Sequence, residues 1–395
     1  MIEYRAFMRR AGRRLQRQYD CIRRGTMAKI IAAGHICLDI TPVFPVSNRY
    51  SAPGEVLIPG KLVLMEGADI HTGGSVANTG TALKLLGNDV DLMGKIGADP
   101  FGSIVQNTLK NYGISGLLID PDGTTSYSVV LAVPGMDRIF LHDPGANDTF
   151  VSADIPEDAL KNADLLHFGY PPLMKKMYEN DGQELVCVFQ RAKANGLATS
   201  LDFAAIDPAS EAGSIDWESI LRSVLPYVDF FVPSFEELCF MLNRERYEQL
   251  AAEGGDLTDG LQVEEECGPL AQKLLSMGCR FVLIKCGTSG MFYQSAGKDA
   301  IEKIGPRVCI DAEAWADRRG IQPCFKADIV RSGTGAGDTS IAAFLTGVLA
   351  GKTPESCVAL AAAEGACCVT SYDALSGIRP IPELEERIRN GWETM

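Results

Sequence analysis

The feature that most constrains the fold of this chain is a regular alternation of apolar strand-like runs with longer helical stretches. The strand-like runs cover residues 30–34, 90–96, 164–168, 198–203, 229–232 and 281–286. The helical stretches lie around residues 75–86, 101–112, 173–195, 235–250 and 265–277. Strands that alternate with helices of this length form βαβ units, which build a mostly parallel sheet with helices on both faces. The sequence therefore predicts an α/β fold with ligands at the carboxyl ends of the strands.

Two segments, residues 41–70 and 124–142, interrupt this alternation. The first is punctuated by prolines and glycines, and the second is typical of a hairpin that turns at Pro134-Gly135-Met136-Asp137. Neither contains a helical pattern, so together they could form a small antiparallel sheet beside the main one. Such a sheet serves as a lid over an active site, as a dimer contact or as an ordinary surface decoration.

The first 26 residues differ from the rest, because they hold eight arginines, no lysine and only two acids. One interpretation is an organellar targeting segment. The other is upstream sequence joined to the gene, since Met27-Ala28-Lys29-Ile30 resembles a natural start that runs into the first strand. The second is favoured, and we expect a single domain to span residues 27–390.

Composition excludes several classes of protein. A chain of 395 residues is long enough for one large α/β domain or two smaller ones. The net charge of −14 argues against a nucleic-acid-binding surface. Twelve cysteines without a C-x-x-C motif indicate reduced thiols in a cytoplasmic protein rather than a disulfide framework or zinc site. No apolar run approaches the roughly 18 residues of a membrane span.

A glycine-rich turn at residues 333–338 carries the strongest functional signal. Behind it lies the apolar stripe of a helix buried on one face: Ile341, Phe344, Leu345, Val348 and Leu349. The turn thus lies at a helix N-terminus, where free N–H groups and the helix dipole favour an anion. Asp338 would repel a phosphate, but it is well suited to take a proton from a hydroxyl that attacks one. The turn therefore suggests phosphoryl transfer to an alcohol.

A second glycine pair, Gly73-Gly74, also precedes a predicted helix, with Asn78 in its first turn. From the residues alone, a glycine-rich turn with Ser75 as a cap is the favoured explanation of this pair. Asp39 follows the first strand at the edge where ligands gather. It suits the capture of sugar hydroxyls, and it also suits an ordinary strand-end turn.

Two more segments follow buried strands. Ser234 and Glu237 have the spacing of a capping box, although Glu237 is equally able to hold a hydrated Mg²⁺. The turn from Lys285 to Gly290 follows the strongest strand-like run. Its glycines are explained by turn chemistry, and it is also a place where a nucleotide can lie.

These motifs, in this order, resemble the ribokinase-type sugar kinases of the phosphofructokinase-B family over residues 28–385. The most specific match is 334–339, which corresponds to the family's D-T-T-G-A-G-D-x-F signature. The Gly73-Gly74-x-x-x-Asn78 cluster resembles the N-terminal signature, and residues 144–147 match a further family segment. The resemblance implies a ribokinase-like fold in which the two interrupting segments form a β lid.

The resemblance also implies roles for individual residues. Asp338 would be the catalytic base, and the amides of Gly335, Ala336 and Gly337 would form an anion hole. The residues implied to contact the sugar are Asp39, Gly73, Gly74, Asn78 and Asn147. Those implied to lie beside ATP are Thr334, Lys285, Gly287, Gly290 and the loop 371–377. Glu237 would act on Mg²⁺ through water, and the lid would provide a homodimer contact.

The chain departs from the family pattern at two positions. Ser234 replaces the asparagine of the family's N-x-x-E motif, which weakens one ligand directed at Mg²⁺ or phosphate. Ser332 replaces the first aspartate of D-T-T-G-A-G-D, which leaves activation by K⁺ open. Neither departure affects Asp338.

The favoured hypothesis is ATP-dependent phosphorylation of a sugar hydroxyl. The alternatives are a nucleoside kinase on the same scaffold and a non-catalytic regulator that binds sugar or nucleotide. The lid, with residues such as Arg138 and His142, is expected to set the choice of sugar, which the sequence does not name.

Overall fold

The computed structural model describes residues 28–45, 50, 53–134 and 139–395. The strands of this part of the chain are β1 (Lys29–Gly34), β2 (Cys37–Pro42), β3 (Ala68–Gly73), β4 (Asp89–Met93), β5 (Lys95–Gly97), β6 (Leu118–Asp120), β7 (Tyr127–Leu131), β8 (Ile139–Asp143), β9 (Leu165–Gly169), β10 (Ala198–Asp202), β11 (Phe230–Phe231), β12 (Phe281–Lys285), β13 (Met291–Ser295) and β14 (Arg319–Gln322). The N-terminal extension and residues 135–137 of the predicted hairpin turn lie outside the described residues.

The helices of the same part of the chain lie mostly between these strands. They are α1 (Gly74–Leu85), α2 (Pro100–Lys110), α3 (Glu157–Asn162), α4 (Lys175–Tyr178), α5 (Gln183–Ala194), α6 (Trp217–Val224), α7 (Phe235–Leu242), α8 (Arg244–Glu253), α9 (Val263–Ser276), α10 (Lys298–Ile301), α11 (Ala312–Trp315), α12 (Ala336–Leu349), α13 (Pro354–Cys368) and α14 (Ile381–Arg389).

The large sheet has eight strands in the order β14-β13-β12-β11-β10-β9-β1-β4. The six strands from β12 to β4 are parallel, and β13 and β14 continue the sheet in antiparallel pairs. The parallel strands are apolar on both faces because each face is covered by helices. In β1, Ile31 packs in one hydrophobic core and Ile30 in the other. The predicted α/β fold with a mostly parallel sheet is thus confirmed.

A separate sheet has four strands in the order β3-β2-β7-β8. The strands β2 and β3 lie at the two ends of the first interrupting segment, and β7 and β8 form the second one. Its outer pairs, β2 with β3 and β7 with β8, are antiparallel, whereas β2 and β7 are parallel. The expected small sheet and its hairpin are therefore present, but the central pairing is parallel because β2 and β7 come from distant parts of the chain.

Several predicted elements have different bounds. The helical stretch 173–195 breaks into α4 and α5, since Asn180 and Asp181 adopt left-handed backbone conformations. The stretch 235–250 divides at Asn243, whose side chain caps α8. Residues 90–96 form two strands, which separate at Gly94 because Ile36 and Val76 leave no room for a side chain there.

Within the described residues, none of the helices combines the length and the apolar character needed to span a bilayer. Ten cysteines of this part of the chain are free thiols, and eight of these are buried. The expectation of reduced thiols holds for these ten, whereas Cys309 is disulfide-bonded.

Candidate active site

Asp338 lies in the first turn of α12 and is buried, with 4% of its surface exposed. Its carboxylate accepts hydrogen bonds from three donors. Oδ2 accepts from Asn78 Nδ2 at 3.0 Å and Oδ1 from Thr79 Oγ1 at 2.9 Å, both from α1. The Tyr170 hydroxyl, just beyond β9, lies 2.9 Å from both oxygens. The carboxylate is therefore held in a fixed orientation at the point where three elements meet.

The turn before α12 presents two free N–H groups beside Asp338. In the described residues, the N–H groups of Gly335 and Gly337 have no main-chain acceptor, as expected at a helix start. The Ala336 N–H instead donates to the Gly333 carbonyl at 3.3 Å. The anion hole of three amides stays a prediction, with the Ala336 amide used inside the turn.

Gly335 is in the left-handed region, with φ +77°. A Cβ at this position would lie 2.1 Å from the Cβ of Ala374. The loop 371–377 therefore packs directly on the glycine turn, as its predicted place beside the nucleotide requires. Glycine is needed here both for its backbone conformation and for this close approach.

Lys285, at the end of β12, forms a buried ion pair with Asp202 at the end of β10, with 2.7 Å between Nζ and Oδ1. The same ammonium is 3.7 Å from the position of a Cβ at Gly337. Lys285 thus lies beside the start of α12, next to the free amides of Gly335 and Gly337.

Acids outnumber bases in this cluster. Burial lowers the pKa of Lys285, but the facing carboxylates of Asp202, Glu237 and Asp338 outweigh it, so the net pKa is raised and the side chain is an ammonium. Burial raises the pKa of Asp202 above its ordinary value, against the attraction of the Lys285 ammonium. A single ammonium faces several carboxylates, so the site keeps an excess of negative charge that a further cation can neutralise.

Asp39, Gly73 and Gly74 lie together on the lid side of Asp338. A Cβ at Gly73 would lie 2.2 Å from Asp39 Oδ2, so the carboxylate rests directly on the glycine backbone. A Cβ at Gly74, which has φ +83°, would lie 2.6 Å from His35 Nδ1. Burial raises the pKa of Asp39, against hydrogen bonds from Cys37 and Ser128, and Asp338 raises it further.

Two other residues predicted to contact a substrate have hydrogen bonds within the protein. The Asn78 amide donates to Asp338, as described above. Asn147 is fully buried, accepts from the Ile36 N–H at 3.1 Å and donates to the Ile36 and Pro144 carbonyls. We therefore expect Asn147 to fix the chain between β1 and β2 rather than to touch a substrate. Ser75 is not a cap, because its hydroxyl contacts His167.

On the nucleotide side, the capping box of Ser234 and Glu237 is present. The Ser234 N–H donates to Glu237 Oε2 at 2.7 Å, and Ser234 Oγ accepts from the Glu237 N–H at 3.2 Å. Gly287 and Gly290 have positive φ angles and fit tightly against Thr258 and the Gln322 carbonyl. Turn packing therefore accounts for both glycines, and nucleotide contact there stays a prediction.

Ser332 closes a small turn, because its hydroxyl accepts from the Thr334 N–H at 3.1 Å and donates to Thr334 Oγ1 at 2.9 Å. The serine thus shapes the start of the turn without a negative charge. Thr334 is held beside Gly335 in the place predicted for a nucleotide contact.

Sequence reasoning missed Tyr170, Thr79 and Asp202. Asp202 ends a predicted strand at the ligand-binding edge, so its position could have identified it. Tyr170 precedes Pro171-Pro172 just after a strand and gives only a turn signal. Thr79 is the neighbour of Asn78 and was not distinguishable from an ordinary helical residue.

Comparisons with known proteins show what this chain is similar to. A family model described as pfkB family carbohydrate kinase matches residues 35–380. An uncharacterized sugar kinase of Archaeoglobus fulgidus is 24% identical over 300 residues, which are 75% of this chain and 97% of that protein. Fructokinase-2 of Zea mays is 24% identical over 323 residues, or 81% of this chain and 79% of that protein. An ATP-dependent ribose-1-phosphate kinase of Halopiger xanaduensis is 25% identical over 251 residues, or 61% and 75%.

Solved structures share the fold. Arabidopsis thaliana ribokinase complexed with ribose and ATP superposes with a TM-score of 0.67 at 19% identity, covering 91% of this chain and 98% of that one. Fructokinase of Xylella fastidiosa with bound ATP superposes with a TM-score of 0.66 at 19% identity, covering 92% and 98%. The ribokinase-like fold is thus confirmed.

Proposed function

The chain belongs to the pfkB family of carbohydrate kinases, and on this premise we propose that it transfers the γ-phosphoryl group of ATP to a sugar hydroxyl. The observation that best supports this proposal is the buried Asp338 beside the free N–H groups of Gly335 and Gly337. A base and anion-binding amides at one helix end are what phosphoryl transfer to an alcohol requires.

In the proposed reaction, Asp338 takes the proton of the acceptor hydroxyl while the hydroxyl oxygen bonds to the γ-phosphorus. The bond from that phosphorus to the bridging oxygen breaks, and ADP leaves with the electron pair. The N–H groups of Gly335 and Gly337 donate to the phosphoryl oxygens, on which negative charge collects. Loss of one such preorganised donor typically costs about 10²–10³ in rate.

Lys285 is the residue that we assign to the phosphates of ATP. Its ammonium is next to Gly337, and Asp202 holds it from the opposite side at 2.7 Å. An ammonium kept in place by a buried carboxylate needs little reorganisation when a phosphate arrives.

Mg²⁺ fits this site by charge and by ligand type. The carboxylates of Asp202, Glu237 and Asp338 act on a single ammonium, and Mg²⁺ prefers carboxylate oxygens and water. In the described ranges no group of three His, Cys, Asp or Glu side chains could hold a metal alone, which suits an ion bound mainly by phosphates and water. When bound, Mg²⁺ would neutralise phosphate charge, with Glu237 acting through water.

We propose no K⁺ site, because Ser332 uses its hydroxyl within the turn.

Tyr170 must release Asp338 before an acceptor can bind to it. Three donors already contact the Asp338 carboxylate, and the Tyr170 hydroxyl, which has a single proton, lies 2.9 Å from both carboxylate oxygens. The hydroxyl therefore stands where an acceptor hydroxyl would approach. Burial and the charge of Asp338 hold the pKa of Tyr170 well above its ordinary value, so the hydroxyl stays protonated and occupies the place of an acceptor hydroxyl.

Tyr170→Phe is therefore expected to lower the acceptor KM by roughly tenfold, since a hydrogen bond to a charged group contributes about 1.5–3 kcal/mol. The change in kcat should stay within about threefold. Steady-state kinetics at saturating ATP measure both constants. Tyr178→Phe is the matched control, because Tyr178 packs on Trp217 and should leave the KM unchanged. A raised acceptor KM in Tyr170→Phe would mean that the hydroxyl contacts the substrate instead.

Two other functions remain to be compared with sugar phosphorylation. A nucleoside kinase would use the same base and amides, and only its substrate would differ. A regulator that binds sugar without catalysis has no use for a buried acid beside anion-binding amides.

Dimerisation through the lid is supported by an apolar row on one face of the small sheet, consisting of Ile70, Ile40, Val129 and Leu141.

The test is a coupled ADP-release screen with Mg²⁺-ATP. The acceptors are ribose, fructose, 2-keto-3-deoxygluconate, fructose and ribose phosphates, and nucleosides. Release of ADP with a free sugar supports the proposal, and release only with nucleosides supports the alternative kinase. Sugar binding by calorimetry without any ADP would favour the regulator.

A further inference from the structure

The small sheet is attached to the rest of the protein at one end and packs separately at the other. Leu38 of β2 and Tyr127 of β7 are paired in register, and both pack into one of the two cores that cover the large sheet. Phe44 and Val133, which follow these two strands, pack instead with Val56 in a hydrophobic cluster of their own. The sheet therefore has a fixed base, and a change of contact near this base can tilt the whole sheet.

Two histidine rings meet near the base. The ring of His142, on β8, lies 5.2 Å from the ring of His35, which directly follows β1. His142 Nδ1 and the Ser128 hydroxyl are joined at 3.0 Å within the small sheet. The main chain of His35 is held by the large sheet and α1, because its N–H donates to the Gly169 carbonyl at 3.2 Å and its carbonyl accepts from the Val76 N–H at 3.1 Å. The ring contact thus joins the small sheet to the main body of the protein.

The surroundings of His35 do not accommodate a positive charge. A protonated imidazole has two N–H donors, whereas neither ring nitrogen of His35 has a hydrogen-bond partner among the described residues. The Tyr170 ring lies 6.1 Å away, and its hydroxyl donates to Asp338. Gly74 brings the N-terminus of α1, the positive end of the helix dipole, against Nδ1. Burial, together with His142, therefore holds the pKa of His35 well below its ordinary value.

The charges around His142 compensate a proton only in part. Burial lowers the pKa of His142, the charge of Asp143 raises it, and the net pKa is lowered. Two protonated rings would also repel each other across the contact with His35. His71, on β3, has the opposite effect, because its charge attracts that of Asp373 in the loop 371–377. This attraction favours a closed sheet, but His71 is exposed, so water screens it.

Proton linkage gives the direction of the effect. In the closed arrangement both histidines have a pKa below the ordinary value of 6.5, which they regain when the sheet tilts away and water reaches the rings. Below pH 6.5 the open arrangement therefore binds more protons, so the closed one is favoured above this pH and loses its advantage as the pH falls. Each histidine contributes up to about tenfold per pH unit, and the two together up to about hundredfold.

We propose that the contact between His35 and His142, called the histidine latch below, holds the small sheet against the main body at neutral pH and releases it in mild acid. Asp39 moves with the sheet, and its charge acts on that of Asp338. Release therefore changes the surroundings of the proposed base and slows phosphoryl transfer. Only this effect on catalysis rests on the proposed function, since the movement itself does not depend on it.

The first measurement is an NMR titration of the protein with isotope-labelled histidine between about pH 8 and pH 5. The chain has four histidines, so single substitutions assign the signals. We expect His35 and His142 to become protonated together, with a Hill slope above one. His167 is the internal reference for an intact main body. Its nitrogens contact Ser75 and Ser200, and burial lowers its pKa to about 3.

Two outcomes of this titration overturn the proposal. One is protonation of His142 while His35 stays neutral throughout. The other is protonation of His35 only when His167 is protonated as well, because the main body has then unfolded. Circular dichroism over the same pH range shows independently whether the protein stays folded.

The second measurement places a permanent charge at the latch. His142→Arg is expected to release the sheet already at neutral pH, so that His35 titrates near the ordinary value of about 6.5. Phe140→Arg is the matched control, since it adds the same charge to the same strand at a side chain that is 56% exposed. It should leave the His35 titration as in wild type. An unchanged His35 titration in His142→Arg contradicts the latch.

A neutral substitution gives the complementary result. In His142→Gln only His35 can take up a proton at the contact, so its Hill slope should fall to about one and its protonation should need a lower pH. A Hill slope as high as that of wild type contradicts the latch. If the His167 signal shows that His142→Arg does not fold, His142→Lys brings the same charge on a slimmer side chain.

Catalysis provides a separate readout. The kcat/KM for the best acceptor of the screen is measured against its own value at about pH 7.5, in wild type and in the double variant His35→Gln with His142→Gln. Wild type is expected to lose at least about tenfold more than the double variant by about pH 5, since any loss at Asp338 itself is common to both. Parallel pH profiles overturn the link to catalysis. If no acceptor yields ADP, the kinase proposal fails, and the NMR titration still decides whether the latch exists.

Discussion

Asp338→Asn is expected to lower the rate of sugar-dependent ADP release by about 10²–10⁴, the range that general-base catalysis contributes. Asparagine has the same shape, and its oxygen can still accept from Thr79 and Tyr170. It cannot take up the proton of the acceptor hydroxyl. The measurement is ADP release at saturating ATP with the best acceptor of the screen.

Two controls make this result specific. The affinity for ADP, measured by calorimetry, should change little, because Gly335, Gly337 and Lys285 are intact. Asp154→Asn removes a structural carboxylate that pairs with Lys95 at 2.9 Å, so it should lower the melting temperature without removing activity. A rate for Asp338→Asn within about threefold of wild type would exclude Asp338 as the base.

Gly335→Ala is expected to have the second largest effect, reducing ADP release by at least about 10²-fold, comparable to the loss of an oxyanion donor. An alanine at φ +77° costs roughly 1–2 kcal/mol, and its Cβ would collide with the Cβ and Cα of Ala374. Either the turn or the loop 371–377 must move, and the amides at the start of α12 move with it. Kinetics and thermal unfolding should both show the change.

The same turn supplies two matched controls. Gly333→Ala lies two residues earlier, and its Cβ would have nothing within 4 Å, so activity and stability should match wild type. At Gly337 the nearest atoms are those of the Lys285 side chain, at 3.7 Å, so Gly337→Ala should fold normally. Reduced ADP release with an unchanged melting temperature in Gly337→Ala would support phosphate binding there. Equal behaviour of Gly333→Ala and Gly335→Ala would contradict the geometric argument.

The sequence was sufficient to predict the parallel part of the sheet, because strands such as β1 and β12 are long apolar runs that helical stretches separate. It was not sufficient for β13 and β14. The strand β14 has four residues, none of them buried. Antiparallel pairing with β12 places β13, and antiparallel pairing with β13 places β14. Short edge strands carry little periodic signal of their own.

Within the site, the sequence identified the residues that depend on local pattern. Gly335 and Asp338 stand in a turn that leads into an apolar helical stripe, and both have the predicted place at its start. Tyr170 could not be identified, since its contact with Asp338 spans 168 residues. The unpaired nitrogens of His35 are likewise a property of the folded chain, because a histidine after a strand has no distinctive neighbours in sequence.

The contact between Tyr170 and Asp338 also bears on how ATP is protected from water. Water competes with the sugar as acceptor of the phosphoryl group and is present at a far higher concentration. A base next to a bound γ-phosphate would also activate water. Tyr170 is held over the carboxylate by a left-handed backbone, with φ 67°, directly before Pro171. If Asp338 is the base, Tyr170 at the end of β9 shields the carboxylate from solvent until a sugar hydroxyl replaces the tyrosine hydroxyl. Wasteful hydrolysis of ATP would then be suppressed by the same residue that slows sugar binding.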